Sequence, residues 1–405
     1  MCNSFSFPDT RKQFPALCQS GNSGLVYLDS AATAQKPSVV LDAIQGYYRG
    51  GSANVHRGSH QLTATVTSGF ESARKTVADF IGASASEVVW TRGATESLNL
   101  IAQSYARTVL KPGDEIIVSE LEHHANIVPW QLVAAQTGAK VIKWPADPQT
   151  CTLDLDTLRS LITSNTRLLA IAHITNVTGT RNPIEDAISL AHDAGAVVVI
   201  DGAQGIVHER VDMKALDADF YVFSGHKLFG PTGIGILYGK KALLDEMPPW
   251  HGGGKMVERV SFEGTTFTRS PGKFEAGTPN IGGAMGLAAA VTWFSQLDLA
   301  GIENHIHALH QRLVKGINNI EGVRIIGLQP GASIVSLVVE GVHHQDLAML
   351  LDQQQIAVRS GNHCAHPLMD ALGITGTLRV SFAMYNSPED IDHFVEALNK
   401  ACSML

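Results

Sequence analysis

The chain has 405 residues, of which 44% are hydrophobic and 17% are charged, and its net charge at pH 7 is −8. This apolar content excludes a disordered protein, and the acidic balance argues against a protein that binds nucleic acid by neutralising many phosphates. No apolar run reaches the ~18 residues of a membrane span, and no apolar signal segment is present near residue 1. We therefore expect no membrane partner and a cytoplasmic location.

The spacing of the cysteines does not indicate a disulfide scaffold. They are Cys2, Cys18, Cys151, Cys364 and Cys402, and no two have CxxC spacing. An odd number without paired spacing argues against a disulfide framework and against a structural zinc site. We interpret every cysteine except Cys364 as having no role in the function of the protein.

Short apolar segments alternate with amphipathic ones over the first part of the chain. We predict strands at 87–92, 115–119, 141–144, 168–174, 197–200 and 220–223, and helices at 95–106, 128–136 and 183–194. This alternation is typical of βαβ units, which build a parallel sheet covered by helices on both faces.

The pattern changes after residue 238. We predict loops at 248–254 and 269–280, a long helix from about 285 to 317, a strand at 334–339, a helix at 345–353, an extended segment at 356–359, a strand at 377–382 and a helix at 388–402. This is an α+β pattern. We therefore expect a large α/β domain over 26–290 and a small α+β domain formed by 1–25 and 291–405.

Polar side chains follow the predicted strands directly. They are Gly93 to Thr95, Glu122 to His124, Thr175 and Asn176, Asp201 to Gln204, and Ser224 to Lys227. Ligands of open α/β sheets bind outside the carboxyl ends of the strands. Ordinary polar loops are the simpler explanation, but polar or titratable groups after five strands favour a site.

Two of these segments have both a functional and a structural interpretation. Gly93, Ala94 and Thr95 join a strand to a helix start, whose free N–H groups and positive dipole end bind anions, although an ordinary helix cap has the same pattern. Asp201 ends a buried strand, where a carboxylate needs a cation or a donor. It either faces such a ligand or caps the turn at Gly202.

Lys227 is the candidate nucleophile. It follows an apolar strand and precedes a glycine-rich turn at 230–235, which lacks the GK[ST] of a Walker A motif. A lysine in a largely apolar setting has a depressed pKa and becomes a usable amine. A solvated surface lysine is the alternative.

Together these residues resemble the pyridoxal 5′-phosphate (PLP) site of fold-type I enzymes in the class V aminotransferase superfamily. Within it the chain is most similar to the group II cysteine desulfurases of the SufS and CsdA type, and WTRGATES, GDEIIVS and GGGKMV favour the CsdA (cysteine sulfinate desulfinase) branch. The matching blocks are YLDSAAT, NVHRGSH, TRGATES, EHHANIVPW, DGAQ, FSGHKLFGPTGIGILYG, FEAGTPN, RSGNHCAHPL and SFAMYN. The resemblance implies a mostly parallel seven-stranded sheet with a smaller α+β C-terminal domain.

The resemblance also implies roles for single residues. Lys227 would hold PLP as a Schiff base and move the Cα proton, Asp201 would pair with the pyridinium nitrogen, and His123 would stack on the ring. Further implied cofactor contacts are Ala94, Thr95, Asn176, Gln204, Ser224, His226 and, from a second subunit, Thr278. The implied substrate contacts are Asn176, Arg379, Arg359, His56 and Arg57. Ala94 departs from many relatives, which have threonine there, but its N–H is retained. No metal is implied.

Cys364 resembles the nucleophile of the group II catalytic loop. Only a thiolate is a good nucleophile, and His363 or the charge of the cofactor would lower the pKa of the thiol. Two other interpretations remain: a buried, inert cysteine, and a metal ligand together with His363 and His366.

The implied reaction converts L-cysteine to L-alanine and leaves a persulfide on Cys364. The sulfur would pass to a SufE- or CsdE-like acceptor protein for iron–sulfur cluster assembly, and the enzyme would be a homodimer that also acts on cysteine sulfinate and selenocysteine. The alternatives are another class V PLP enzyme, such as an aminotransferase or a kynureninase-like enzyme, and a non-catalytic sulfur-relay scaffold.

Overall fold

The computed structural model describes residues 5–22 and 24–405. Its largest sheet has seven strands. In spatial order they are Val88–Thr91, Gly235–Gly239, Phe220–Ser224, Val197–Asp201, Thr166–Ala172, Glu115–Ser119 and Lys140–Trp144. Of these, only Gly235–Gly239 runs antiparallel to its neighbours, so the predicted mostly parallel seven-stranded sheet is confirmed.

The strands of this sheet are buried because helices cover both of its faces. Phe220–Ser224 and Thr166–Ala172 are almost entirely buried, as expected for parallel strands between two helical layers. The helices of this part of the chain are Ser38–Arg49, Gln61–Phe80, Ala94–Leu100, Val128–Thr137, Leu155–Leu161, Ile184–Asp193, Gly205–His208, Met213–Leu216, Lys241–Glu246 and Ile281–Ser295. A π-helical turn, Ile101–Ala106, and a short helix, Arg107–Val109, extend Ala94–Leu100.

A second, four-stranded antiparallel sheet follows in the chain. Its strands are Val323–Ile326, Ile334–Val339, Thr377–Ser381 and Arg359–Gly361, in that spatial order. The accompanying helices are Leu299–Ile317, His344–Asp352, His366–Leu372 and Pro388–Met404. Near the N-terminus, helix Phe7–Lys12 precedes the strand Val26–Tyr27, which pairs in parallel with Ile356–Ala357. The domain boundaries at 25/26 and 290/291 remain a prediction.

The predicted long helix over 285–317 is wrong. The segment contains two helices, Ile281–Ser295 and Leu299–Ile317, which meet at 86°. Asp298 begins the second helix, because its carboxylate accepts the N–H of Gly301 at 3.0 Å. Across the described residues, no single helix is long and apolar enough to cross a membrane, and these two pass that test only as a bent pair.

A hairpin also went unrecognised in the sequence. Its strands are Val257–Ser261 and Gly264–Phe267. Both are largely exposed, so they lack the apolar alternation by which a half-buried strand is recognised. The expected loops at 248–254 and 269–280 flank it, with one 3₁₀ turn at Gly272–Phe274.

Candidate active site

Asp201 is the last residue of a central strand and is only 6% exposed. One of its carboxylate oxygens accepts the N–H of Ala203 at 2.9 Å, so Asp201 does cap the turn after the strand. Among the described residues, no donor reaches its other oxygen. Burial raises the pKa of this carboxyl, while Ala203 and Lys227 act in the opposite direction. The free oxygen therefore favours a cationic partner.

Lys227 lies three residues beyond the strand that neighbours Asp201 and is half-buried. Burial lowers the pKa of its amine to about 8, whereas the charge of Asp201 raises it. The solvated surface lysine considered from the sequence is thereby excluded. An amine with this pKa is partly unprotonated near neutral pH.

The loop of Lys227 is packed tightly against the helix start at Ala94. A Cβ atom on Gly235 would lie 2.4 Å from the Cα of Gly93, which leaves room for glycine only. The N–H of Ala94 donates to Ser224 Oγ at 2.8 Å. Thr95 follows in the first turn of the helix and is exposed.

His123 carries no charge near neutral pH. Burial, followed by the charge of Lys227, lowers the pKa of its imidazole to about 4. Its Nδ1 accepts the N–H of Ala125 at 3.1 Å, so the proton is on Nε2. A neutral ring held in this way fits the face of a planar ligand.

Glu122 anchors the turn that carries His123, a role that the sequence did not indicate. It is fully buried. Its carboxylate accepts the N–H of Ala172 at 2.8 Å and Asn126 Nδ2 at 2.7 Å, and it also contacts Ser119 Oγ. Burial raises the pKa of Glu122 to about 8, against the effect of these hydrogen bonds.

Cys364 is exposed on a loop with unusual backbone geometry. Cys364 and His363 have φ of 56° and 52°, which side-chain-bearing residues rarely adopt. Three hydrogen bonds hold the loop: Asn176 Nδ2 to His363 O at 2.8 Å, the N–H of His124 to Cys364 O at 2.7 Å, and the N–H of Cys364 to Asn362 Oδ1 at 2.9 Å. The buried, inert cysteine is therefore excluded.

Of the two sources of positive charge considered for activating Cys364, the structure argues against His363. His363 is buried, its Nε2 bonds Thr377 Oγ1 at 2.8 Å, and burial lowers its pKa to about 3. An uncharged imidazole cannot stabilise a thiolate by its charge.

The metal interpretation is not supported either. His366 turns to His124: their ring nitrogens are 3.0 Å apart, and the rings stack at 4.9 Å. Within 5–22 and 24–405, no group of three or more His, Cys, Asp or Glu side chains is arranged to hold a metal ion.

The other cysteines do not share the surroundings of Cys364. Cys151 is buried, Cys402 is half-buried and Cys18 is exposed. Cys2 lies outside the described residues.

Arg379 is the buried cation of the site. It is 3% exposed, its Nη1 donates to the carbonyl of Asn176 at 2.8 Å, and its Nη2 approaches Asp29 Oδ1 at 3.3 Å. Its Nε is buried without a partner among the described atoms. Arg359 also pairs with Asp29, at 2.9 Å, but its side chain is half exposed. Gln204 is buried and donates to the carbonyl of Ala31 at 2.8 Å.

Three implied site residues lie on the surface. His56, Arg57 and Thr278 are exposed. His56 bonds Glu71 at 2.9 Å, and Thr278 Oγ1 accepts Asn54 Nδ2 at 3.2 Å. His226, next to Lys227, is half-buried, and burial lowers its pKa to about 4.

The residues at the strand ends fit PLP. The free oxygen of buried Asp201 suits a protonated pyridine nitrogen, and neutral His123 suits the ring face. Lys227 supplies an amine that can form an imine with an aldehyde.

Comparison with known proteins agrees with this arrangement. Residues 26–394 match the aminotransferase class-V family. A protein of Vibrio cholerae described as a probable cysteine desulfurase is 64% identical over 397 residues, which cover 98% of each chain. Cysteine desulfurase CsdA of Escherichia coli K12 is 49% identical over 100% of this chain and 99% of its own. The crystal structure of E. coli CsdA in an S-sulfonic acid form has a TM-score of 0.93, with 48% identity and complete coverage of both chains.

Proposed function

The chain belongs to the aminotransferase class-V family, and from that premise we propose that it is a PLP-dependent cysteine desulfurase that takes up the sulfur of L-cysteine on Cys364. One observation carries the proposal. The exposed Cys364 loop is hydrogen-bonded to the turn of His123 and to Asn176. The loop that carries the thiol is thus tied to two segments that follow strands of the sheet to which Lys227 and Asp201 are attached.

Bound PLP supplies an electron sink that makes the Cα–H bond of an amino acid acidic. Lys227 would hold the cofactor, Asp201 would face its ring nitrogen and His123 its ring face, and Gln204 would reach the phenolic oxygen. The phosphate would meet Ala94, Thr95, Ser224 and His226, with Thr278 contributed by a second subunit.

Lys227 is also the base in this proposal. With a pKa of about 8, its Nζ accepts the Cα proton without a large energetic penalty at neutral pH. Arg379 and Asn176 would orient the α-carboxylate of the substrate. Arg379 Nε is the buried donor that lacks a partner among the described residues, and a carboxylate would satisfy it.

Cys364 would receive the sulfur atom. Its thiolate attacks the sulfur of cysteine, an S–S bond forms and the Cβ–S bond breaks. The electron pair of the broken bond stays with the carbon, which takes up a proton and becomes the methyl group of alanine. Because Cys364 is exposed, the resulting persulfide is accessible to a second thiol.

The onward route belongs to the same proposal. A SufE- or CsdE-like protein would accept the sulfur from a homodimeric, cytoplasmic enzyme and supply iron–sulfur cluster assembly. The exposure of Thr278, His56 and Arg57 is compatible with a site completed by a second subunit. Cysteine sulfinate and selenocysteine would be further substrates.

The decisive experiment measures both products. Purified holoenzyme is incubated with L-cysteine and a reductant, and we expect alanine and sulfide in equal amounts. Lys227→Ala should form neither product, while Cys18→Ser, which alters another exposed thiol, should match the wild type. Keto-acid formation without sulfide would instead indicate an aminotransferase. A colourless protein that forms no product would indicate a scaffold.

A further inference from the structure

Lys36 is a half-buried lysine that the reaction proposed above does not use. Its Nζ donates to the carbonyl oxygen of His226 at 3.1 Å and to Thr33 Oγ1 at 3.3 Å, and it also contacts the carbonyl oxygen of Ala34. The ammonium group thus has three oxygen acceptors, one for each of its N–H bonds. Two of them belong to its own segment, whereas the third belongs to the loop of Lys227, 190 residues away in the chain.

Three donors converge on the carbonyl oxygen of His226. Besides Lys36 Nζ, the backbone N–H of Ala34 donates to it at 3.1 Å and the hydroxyl group of Thr33 at 3.3 Å. This carbonyl belongs to the peptide group whose nitrogen is that of Lys227, and a peptide group is planar. Fixing its oxygen therefore fixes the orientation of the backbone from which the Lys227 side chain starts.

The loop of Lys227 restrains this peptide group only weakly by its own hydrogen bonding. The N–H of Lys227 lies 3.4 Å from the carbonyl oxygen of Ser224, which is longer than the usual N–H···O distance of about 2.7–3.2 Å. The donors of residues 33–36 therefore supply the closer restraint.

The segment that carries Lys36 is itself held in place. Tyr27 Oη donates to the carbonyl oxygen of Thr33 at 2.8 Å. The backbone N–H of Gln35 donates to Tyr385 Oη at 3.3 Å, and Tyr385 is fully buried. The restraint on the loop of Lys227 thus comes from a segment anchored to buried structure.

The position of Lys36 is energetically costly. Burial lowers the pKa of its ammonium group to about 8, and among the described residues no carboxylate offsets this effect. Removing a cation from water without a counter-charge costs free energy. Departures of this kind from the usual rules of burial are expected at functional sites.

We propose that Lys36 positions Lys227 for proton transfer by holding the carbonyl oxygen of His226. The inference rests on the proposed function, because it takes Lys227 as the group that binds PLP and moves the Cα proton. Lys36 acts through the backbone of the loop and is a positioning residue.

Proton exchange on L-alanine tests this role separately from sulfur transfer. Holoenzyme is incubated with L-alanine in D₂O, and loss of the α-proton signal is followed by NMR. We expect Lys36→Met to exchange the proton ~10-fold more slowly at saturating L-alanine, because a small displacement of the base slows proton transfer. The half-saturating concentration should stay within about 2-fold of the wild type. An unchanged exchange rate would overturn the inference.

Two further variants separate positioning from a general loss of structure. Lys36→Arg keeps a cationic donor and should exchange the proton faster than Lys36→Met. Lys75→Met alters an exposed lysine that pairs with Asp79 and should match the wild type. If Lys36→Met weakens binding of L-alanine as much as it slows exchange, or if Lys36→Arg is no better than Lys36→Met, the positioning role is contradicted.

Cofactor uptake by the apoprotein provides a measurement that needs no turnover. The rates of reaction with PLP and with pyridoxal, which lacks the phosphate, are followed by absorbance. Lys36→Met should slow both ~10-fold, because both aldehydes react with the Lys227 amine. A loss confined to PLP would show that Lys36 acts on the phosphate, and the inference would then be wrong.

Thr33→Val provides a second variant if Lys36→Met does not fold. It removes one donor to the carbonyl of His226 and one acceptor of Lys36, and we expect exchange to slow ~3-fold. Exchange at the wild-type rate would overturn the inference. A wild type that exchanges the α-proton but forms no alanine and sulfide from L-cysteine would contradict the proposed function, while slower exchange in Lys36→Met would still support the role of Lys36.

Discussion

The backbone N–H of His124 donates a hydrogen bond of 2.7 Å to the carbonyl oxygen of Cys364. This bond joins the loop of the candidate nucleophile to the turn that carries His123. The side chain of His124 adds a second link, because it stacks on His366 and accepts the N–H of His366 at 3.2 Å. The position of the thiol thus depends on a turn that follows a strand of the other sheet.

His366→Ala should loosen this link. Because the backbone bond at Cys364 is retained, we expect kcat for L-cysteine to fall about 3- to 10-fold with little change in KM. Turnover of cysteine sulfinate, which can lose sulfite without attack by a thiol, should stay near the wild-type value. His366→Gln, which keeps a hydrogen-bonding side chain, serves as the control. Equal losses with both substrates would show that the effect is not exerted through Cys364.

Cys364→Ser should abolish alanine formation from L-cysteine, with a loss of at least ~100-fold, because a hydroxyl is a poor nucleophile toward sulfur. Residual turnover of cysteine sulfinate and selenocysteine should remain. Product assays on the three substrates provide the measurement, with Cys18→Ser as the matched control. Loss of all three activities to the same extent would contradict the role of Cys364.

The rate at which the apoprotein binds PLP should depend on pH, with a midpoint near the pKa of the Lys227 amine. The unprotonated amine is the reactive form, and burial lowers its pKa to about 8. The rate should therefore be half-maximal near pH 8 and level off about one pH unit above it. It can be followed by the absorbance of the bound cofactor. A rate that continues to rise toward pH 10 would identify a solvated amine.

Glu122→Gln should destabilise the protein by about 1–3 kcal/mol, because a glutamine amide faces the donor Asn126 Nδ2. The difference in the free energy of unfolding between the wild type and the variant should also depend on pH. Since the folded-state pKa of Glu122 is raised to about 8, the wild type loses stability as pH rises from about 4.5, where the unfolded state ionises, to about 8. The variant lacks this loss. Urea denaturation should therefore show a larger difference in the free energy of unfolding between wild type and variant at pH 5 than at pH 8. A difference that increases with pH would be inconsistent with a buried, protonated Glu122.

Gly235→Ala should disturb the packing around the Lys227 loop. The new Cβ would lie 2.4 Å from the Cα of Gly93, so the strand of Gly235 and the turn at Gly93 must move apart, at a cost of about 1–3 kcal/mol. We also expect weaker retention of PLP. Gly46→Ala is the control, because a Cβ there meets nothing within 4 Å. Melting temperature and cofactor content would be measured together, and equal behaviour of the two variants would refute the packing argument.

Much of the sheet was predictable from local pattern. Strand 115–119 was predicted with the observed bounds, and 334–339 likewise. Both are short apolar runs bounded by polar residues. Such a run indicates a strand because every residue of a buried strand is excluded from solvent. The exposed hairpin gave no such signal, and the helix break at Asp298 was concealed by apolar residues on both sides of it.

The sequence by itself determined which chemical groups stand near the strand ends, because Asp201, His123 and Lys227 lie at the end of a buried strand or within four residues of one. Only the tertiary structure decided their charge states and partners. Burial leaves His363 uncharged, Glu122 holds the turn of His123, and Asp29 reaches arginines more than 300 residues away in the chain. The physical reason is that pKa values and ion pairs depend on solvent exclusion and on distances between segments far apart in sequence, which local periodicity does not encode.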